Sequence, residues 1–88
     1  MNDYVAKKAL EKWGIDKQLD CLVEECSELI TAIQHYKRNR VSKLAIGEEI
    51  ADVEVMIHQI VFYLDLKEAI ELVKSQKVER LRKKLGLK

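Results

Sequence analysis

The 88-residue sequence contains no proline and only three glycines. Because proline and glycine interrupt helices, their scarcity excludes a proline-rich linker or a collagen-like repeat and favours long helices. No apolar run reaches the ~20 residues of a membrane-spanning helix, and the N-terminal residues lack the apolar core of a signal peptide. We therefore expect a protein that neither spans a membrane nor carries an export signal.

Cysteine is scarce as well, and the chain holds only Cys21 and Cys26. We interpret both as belonging to one helix, where this spacing points the two side chains about 140° apart. A disulfide between them is unfavourable in that geometry. Free thiols are typical of reducing compartments, so we expect a cytoplasmic protein.

Net charge is nearly absent, at +1, although charged residues form 35% of the chain. Residues 1–36 carry a net charge of −3, residues 37–43 +4, residues 44–71 −6 and residues 72–88 +6. These charged blocks have two interpretations. In the first, they are solvated faces of helices. In the second, the acidic residues bind a cation and the basic residues bind an anion.

Apolar residues recur at helical spacing in four segments, and no segment alternates as a strand does. The segments run from about Asp3 to Trp13, from Asp16 to about Lys37, from Ser42 to about Leu64, and from Asp65 to Gly86. Asp65 followed by Glu68 resembles the capping pattern at a helix start. A chain of this length forms one domain, here residues 1–88. We predict an all-α protein whose four helices pack as a bundle.

The third helix is apolar on two sides. Opposite its main apolar stripe lie four further apolar residues, Ala51, Val55, Phe62 and Leu66. A helix of this kind must be covered on both sides, by another copy of the chain or by the first or fourth helix. We favour a homodimer or homotetramer, since association also buries apolar surface that a small chain cannot bury alone.

Two carboxylate pairs carry the candidate chemistry, Glu25 with Glu28 and Glu49 with Asp52. Residues three apart leave the same side of a helix, and both pairs flank the apolar stripe of their helix. Where the two flanks face each other, four carboxylates converge and repel one another unless a cation joins them. Carboxylate oxygens suit Mg²⁺ or Mn²⁺. The alternative is two exposed acidic faces.

Other metal sites and nucleophiles find less support. A di-iron bundle needs Glu-x-x-His pairs, and neither His35 nor His58 follows a glutamate at that spacing. The clustered cysteines and histidines of a zinc site are absent. Neither cysteine has an obvious base near it in sequence.

The acidic pattern resembles the metal motif of the MazG-type nucleotide pyrophosphohydrolases, in the all-α NTP pyrophosphatase superfamily. Glu25-x-x-Glu28 is followed, after twenty residues, by Glu49-x-x-Asp52. The flanking segments 13–20 and 48–53 are also similar to that family, and the similarity extends from about residue 9 to residue 85.

The resemblance implies a MazG-type domain that hydrolyses nucleoside triphosphates to a monophosphate and pyrophosphate. It implies that Glu25, Glu28, Glu49 and Asp52 are the catalytic ligands of Mg²⁺, with Mn²⁺ as a possible replacement. The metal would bridge phosphate oxygens and lower the pKa of a bound water. One of the four acids, or Glu48 through the metal-bound water, would take the proton, and the choice between them stays open.

Candidate phosphate ligands lie on the last helix. Lys77 occupies the apolar stripe between Val73 and Leu81, where a lysine either extends to solvent or reaches an anion. The family similarly uses a lysine and an arginine on its last helix, which implies that Lys77 and Arg80 bind the phosphates.

Candidate base contacts lie nearer the N-terminus. Gln18 shares the flank of Glu25, where an amide can read a base edge. Trp13 either stacks on the base or joins the core.

Two other functions remain open at this stage. One is a helical interaction module whose acidic surface binds a basic partner without a metal. The other is a nucleic-acid-binding protein that uses the basic segments 37–43 and 80–88. The net charge of +1 and the absence of aromatic residues from the C-terminal segment argue against nucleic acid.

Overall fold

The computed structural model describes all 88 residues, as four α-helices without a strand. The helices are α1 (Asp3–Trp13), α2 (Ile15–Lys37), α3 (Lys43–Leu64) and α4 (Lys67–Lys84). The predicted all-α fold is confirmed. None of the helices combines the length and the apolar character that crossing a bilayer requires.

A single residue, Gly14, separates α1 from α2. Its φ of +84° is a conformation that glycine adopts without strain, and its N–H donates to the Leu10 carbonyl at 2.8 Å. The Gly14 carbonyl then accepts from the Gln18 N–H at 3.2 Å, so α2 begins at Ile15. The expected helix start at Asp16 was therefore slightly late, because the chain turns at Gly14 and re-enters helical geometry at once.

The long helices α2 and α3 form an antiparallel pair, connected by residues 38–42. Gln18 near the start of α2 contacts Gln59 near the end of α3. At the other end of the pair, Ala32 and Ala45 line one cavity. The middle turns of the two helices therefore face each other, and these turns carry the acidic residues.

The turn between α3 and α4 differs from the sequence-based expectation. Asp65 takes a left-handed conformation, with φ of +54°, at the C-terminal end of α3. Its N–H bonds the Phe62 carbonyl at 3.3 Å and the Leu66 N–H bonds the Val61 carbonyl at 3.1 Å, which closes the helix end. Leu66 then precedes α4, and no side chain caps that helix. The predicted capping role of Asp65 was wrong because aspartate here ends α3, in a conformation that it tolerates.

The core lies where α1, α2 and α3 meet. Its buried residues are Ala6, Gln18, Ala32, Val53, Met56, Gln59 and Ile60. Helix α4 contributes none of them and does not pack against the other helices as these pack together. The radius of gyration is 16.0 Å. A compact chain of this length would have about 12 Å, so α4 extends the molecule.

Much of the apolar surface of α2 and α3 stays exposed within one chain. On α2, Val23 is 69% exposed and Ile30 is 61% exposed, although both belong to the apolar stripe. They lie about 140–160° around the helix from Glu25, which faces α3. On α3, Ile50 and Ile57 are also exposed. The stripes that the sequence indicates as core are therefore only half covered.

The second apolar face of α3 is partly covered by α1. The His58 Nε2 lies 2.9 Å from an Asp3 carboxylate oxygen, which ties the start of α1 to α3. Val55, Phe62 and Leu66 remain exposed beside this contact. Helix α1 thus supplies part of the cover, as one of the two alternatives predicted.

Candidate metal centre

Four carboxylates meet between the middle turns of α2 and α3. One oxygen from each of Glu25, Glu28, Glu49 and Asp52 lies within 4.8 Å of the others. Two neighbouring turns of each helix supply a pair, and the antiparallel packing places the pairs opposite each other. The predicted convergence of the two acidic flanks is therefore present in the fold.

The four side chains differ in their exposure. Glu25 and Glu49 are half-buried, whereas Glu28 and Asp52 are exposed. One oxygen of Glu25 and one of Glu49, the Oε2 in each case, are inaccessible and have no hydrogen-bond partner. Buried carboxylate oxygens without a partner are rare and costly in folded proteins. A cation between the two helices would give both atoms a partner.

The electrostatics of the cluster also favour a cation. Loss of hydration raises the pKa of the Glu25 carboxyl above its ordinary value, and the neighbouring Glu28, Asp52 and Glu49 raise it further. The pKa of Glu49 is raised as well, first by loss of hydration and then by Glu28 and Asp52. Glu25 and Glu49 thus resist ionising in this cluster, and a divalent ion would relieve the repulsion.

The donor atoms fit a hard metal ion. All four are carboxylate oxygens, with no sulfur or imidazole nitrogen in the group. Oxygen ligands on rigid elements suit Mg²⁺ and Mn²⁺, whereas zinc sites favour cysteine and histidine. The residues present therefore fit the ion that the sequence predicted.

A cavity of about 310 Å³ opens directly beside the carboxylates. Its lining consists of Ser27, Glu28, Thr31, Ala32, His35, Val41, Ala45 and Glu49. Two alanines make room in it, while two hydroxyls and one imidazole supply polar groups. His35 was missed as a functional candidate, although it follows Glu28 by two helical turns and so shares its face.

The two candidate base contacts lie in different surroundings. Gln18 is only 4% exposed, and its Nε2 donates to the Gln59 Oε1 at 2.6 Å. Its amide is engaged in the core, and its predicted contact with a base stays a prediction. Trp13 is exposed at the end of α1, with the Lys12 ammonium 5.2 Å from its ring centroid.

The two candidate phosphate ligands are not brought to the carboxylates within one chain. Lys77 and Arg80 are exposed on α4, which does not pack on the α2–α3 pair. Neither residue forms an ion pair with any carboxylate. Their predicted role thus depends on where α4 lies relative to the acidic cluster.

Comparison with known protein families gives one match. The MazG nucleotide pyrophosphohydrolase domain matches residues 14–86, which include all four carboxylates, the adjoining cavity and α4. Comparison with curated proteins and with solved structures gives no match. The matched segment covers most of the chain, and the acidic cluster lies in its middle. The chain therefore belongs to the MazG nucleotide pyrophosphohydrolase domain family.

Proposed function

We propose that the protein hydrolyses ribo- or deoxyribonucleoside triphosphates to the nucleoside monophosphate and pyrophosphate, in a Mg²⁺-dependent reaction. The observation that carries the proposal is the cluster of four carboxylates, with two buried oxygens that lack a partner, in a chain of this family. Mn²⁺ is the expected replacement for Mg²⁺ because it accepts the same oxygen donors.

The four acids have two positions in this proposal. Glu25 and Glu49 would hold the ion from the buried side, because each has one inaccessible carboxylate oxygen without a partner. Glu28 and Asp52 lie on the solvent side, where the substrate enters. Bound Mg²⁺ would supply positive charge to the phosphate oxygens and lower the pKa of the attacking water. One of the four carboxylates, or Glu48 through the bound water, would accept the proton that this water loses.

The nucleoside part of the substrate has a place beside the cluster. The cavity lined by Ala32, Ala45 and His35 shares Glu28 and Glu49 with the acidic group. A triphosphate bound at the acids would therefore leave its sugar and base next to this cavity. The hydroxyls of Ser27 and Thr31 and the His35 imidazole are groups that hydrogen-bond sugars and bases.

A homodimer or homotetramer is part of the proposal. Exposed apolar side chains on α2 and α3, Val23, Ile30, Ile50 and Ile57 among them, need cover that one chain does not supply. A second copy of the chain is the simplest source of such cover, and the acids lie on another side of α2. The compartment we propose is the cytoplasm, since Cys21 and Cys26 are both free thiols.

A substrate panel tests the proposal. The common ribo- and deoxyribonucleoside triphosphates are incubated with the protein and Mg²⁺ or Mn²⁺, and pyrophosphate and phosphate are measured separately. We expect pyrophosphate and a monophosphate from at least one of them. Release of phosphate alone would indicate a different cleavage site, and no turnover with any nucleotide would refute the enzyme.

A further inference from the structure

The loop between α2 and α3, residues 38–42, lies at one end of the cavity beside the carboxylates. Val41 of this loop and His35 of α2 line the cavity, together with Glu28 and Glu49 of the acidic cluster. Two helical turns separate Glu28 from His35, a distance of about 10 Å along the helix axis. The cavity therefore leads from the candidate metal centre to the loop.

The backbone of the loop places two arginines beside this end of the cavity. The N–H groups of Arg38 and Arg40 both donate to the His35 carbonyl, at 3.1 and 2.9 Å. Asn39 between them takes a left-handed conformation, with φ of +59°, in which the chain turns tightly. Arg40 is followed directly by Val41, which lines the cavity. Backbone groups thus hold the turn, and they fix where the two arginine side chains begin.

The positive charge of this loop is not neutralised by neighbouring acids. Residues 37–43 carry a net charge of +4, and residues 29–47 contain no acidic residue. Arg38 and Arg40 are exposed, and none of the ion pairs in the structure involves them. An arginine presents a planar fork of donors that binds two phosphate oxygens at once. The loop end of the cavity therefore favours an anion, whereas the acidic end favours a cation.

A nucleotide held at the acids would direct one side of its sugar towards this loop. The 3′ oxygen and the 5′ carbon leave opposite faces of the sugar ring, so a group on the 3′ oxygen leads away from the triphosphate. A substrate with a free 3′ hydroxyl offers the two arginines no anion. A substrate with a phosphoryl group on that oxygen offers them the ligand that their donors match.

We infer that the preferred substrates carry a second phosphoryl group on the 3′ oxygen, and that Arg38 and Arg40 bind it. The inference rests on the proposed function for the reaction. Water would attack the triphosphate, the bond between the α and β phosphates would break, and the products would be a nucleoside 3′,5′-bisphosphate and pyrophosphate. The 3′ phosphoryl group belongs either to a free nucleotide or to a diester that continues into a second nucleotide.

A comparison of matched substrates tests the preference. The best nucleotide of the substrate panel is assayed beside its 3′-phosphorylated form, and kcat/KM is measured for each. We expect the 3′-phosphorylated form to be favoured by at least about tenfold, because hydrogen bonds between charged partners are strong. Added salt should reduce this ratio, since exposed charges are screened. A ratio near one at low salt would overturn the inference.

A double variant assigns the preference to the two arginines. Arg38→Gln/Arg40→Gln keeps both backbone N–H groups, so the turn should persist, and the melting temperature checks this. We expect the ratio of the two kcat/KM values to fall to about one. If both substrates lost activity equally and the ratio stayed as in the wild type, the arginines would serve a part that the substrates share, which overturns the inference.

A charge-matched control uses the two lysines of the same basic segment. Lys37 lies about 160° around α2 from His35, and Lys43 lies about 160° around α3 from Ala45, so both leave the sides away from the cavity. Lys37→Gln/Lys43→Gln should therefore leave the ratio as in the wild type. A fall as large as that of the arginine variant would indicate a diffuse effect of charge instead of a site, and would overturn the inference.

A third substrate distinguishes the two sources of the 3′ phosphoryl group. A dinucleotide with a 5′ triphosphate carries this group as a diester. If its kcat/KM exceeds that of the 3′-phosphorylated mononucleotide, the site binds the ends of oligonucleotides, and the reverse order assigns it to free nucleotides. Both results support the inference if both substrates exceed the 3′-hydroxyl nucleotide.

A binding measurement does not depend on turnover. Isothermal titration calorimetry with Mg²⁺ compares a nucleoside 3′,5′-bisphosphate with the corresponding 5′-monophosphate. We expect the bisphosphate to bind about tenfold more tightly to the wild type and equally to the arginine variant. Equal affinities in the wild type would overturn the inference. Tighter binding of the bisphosphate by a protein that hydrolyses no nucleotide would instead refute the proposed function and leave the anion site standing.

Discussion

Replacing Gln18 with leucine should destabilise the protein because the buried side chain of Gln59 would lose its hydrogen-bond donor. The Gln18 Nε2 donates to the Gln59 Oε1 at 2.6 Å, and each side chain is 4% exposed. Leucine fills similar space but leaves the Gln59 oxygen buried without a donor. A buried polar atom without a partner costs about 1–3 kcal/mol of unfolding free energy. In a domain of this size, each kcal/mol lowers the melting temperature by roughly 4–8 °C.

The double variant Gln18→Leu/Gln59→Leu should recover much of that loss. It removes both amides, so no buried acceptor is left alone. Gln59 also donates to the Val55 carbonyl at 3.4 Å and contacts the Met56 sulfur at 3.6 Å. Neither the Val55 carbonyl nor the Met56 sulfur depends on the Gln59 amide as its donor, so the loss of these two contacts costs little. The double variant should therefore be more stable than the Gln18→Leu variant, a coupling that a double-mutant cycle measures.

Urea unfolding followed by circular dichroism is the assay. Protein concentration is held constant, because association changes the apparent stability. Gln34→Leu, an exposed glutamine of the same helix, is the matched control and should shift the midpoint little. An unchanged midpoint for Gln18→Leu would refute the argument. If its stability were unchanged while its KM for a triphosphate rose, Gln18 would contact the base as the sequence predicted.

Three further predictions concern the site. Asp52→Asn should lower kcat by about 10²–10³-fold without lowering the melting temperature, because it removes a ligand and a repulsive charge together; retained pyrophosphate release would refute the ligand role. The pKa values of Glu25 and Glu49 are raised in the folded state. Above the unfolded-state pKa of about 4.3, the folded protein therefore binds more protons than the unfolded chain does. The free energy of unfolding of the metal-free protein should therefore fall as the pH rises from about 4.3 through the folded-state pKa values of the two acids, and added Mg²⁺ should reverse this fall. The measurement is the urea midpoint as a function of pH. If the Glu49→Gln variant gave the same pH profile as the wild type, the argument would be contradicted. Ala45→Leu should fill the cavity and raise the KM for triphosphates roughly tenfold while leaving kcat and the melting temperature nearly unchanged, and an unaltered KM would place the nucleoside elsewhere.

The helices and the two carboxylate pairs could be predicted from the sequence because both follow from local spacing. Apolar residues at helical intervals place α1 at Asp3–Trp13 and α3 at Lys43–Leu64, close to the expected bounds. Acids three apart share a helix face in any fold. In the antiparallel pair of α2 and α3, the flanks that carry the acids face each other, and the two pairs meet. Positions along the two helices therefore predicted which acids could converge, and the rotation of the helices decided that they do.

The direction of each apolar stripe was not predictable from spacing. The wheel of α2 places Val23 and Ile30 in its apolar stripe, yet both are more exposed than the other large apolar residues of the helix. The face turned to α3 carries Gln18 and Glu25 instead. Periodicity shows that one side of a helix is apolar, but it does not show whether that side is covered by the same chain.

By itself, the sequence determined the four helices, the phase of the two carboxylate pairs and the cancellation of opposite charges in a net +1. These are properties of residues near one another along the chain. Only the tertiary structure decided that Glu25 and Glu49 each keep one buried oxygen without a partner, and that a cavity with His35 opens beside them. It also decided that Asp65 ends α3 and sends α4 away from the core. The physical reason is that burial and helix direction depend on contacts between distant segments, which local spacing does not encode.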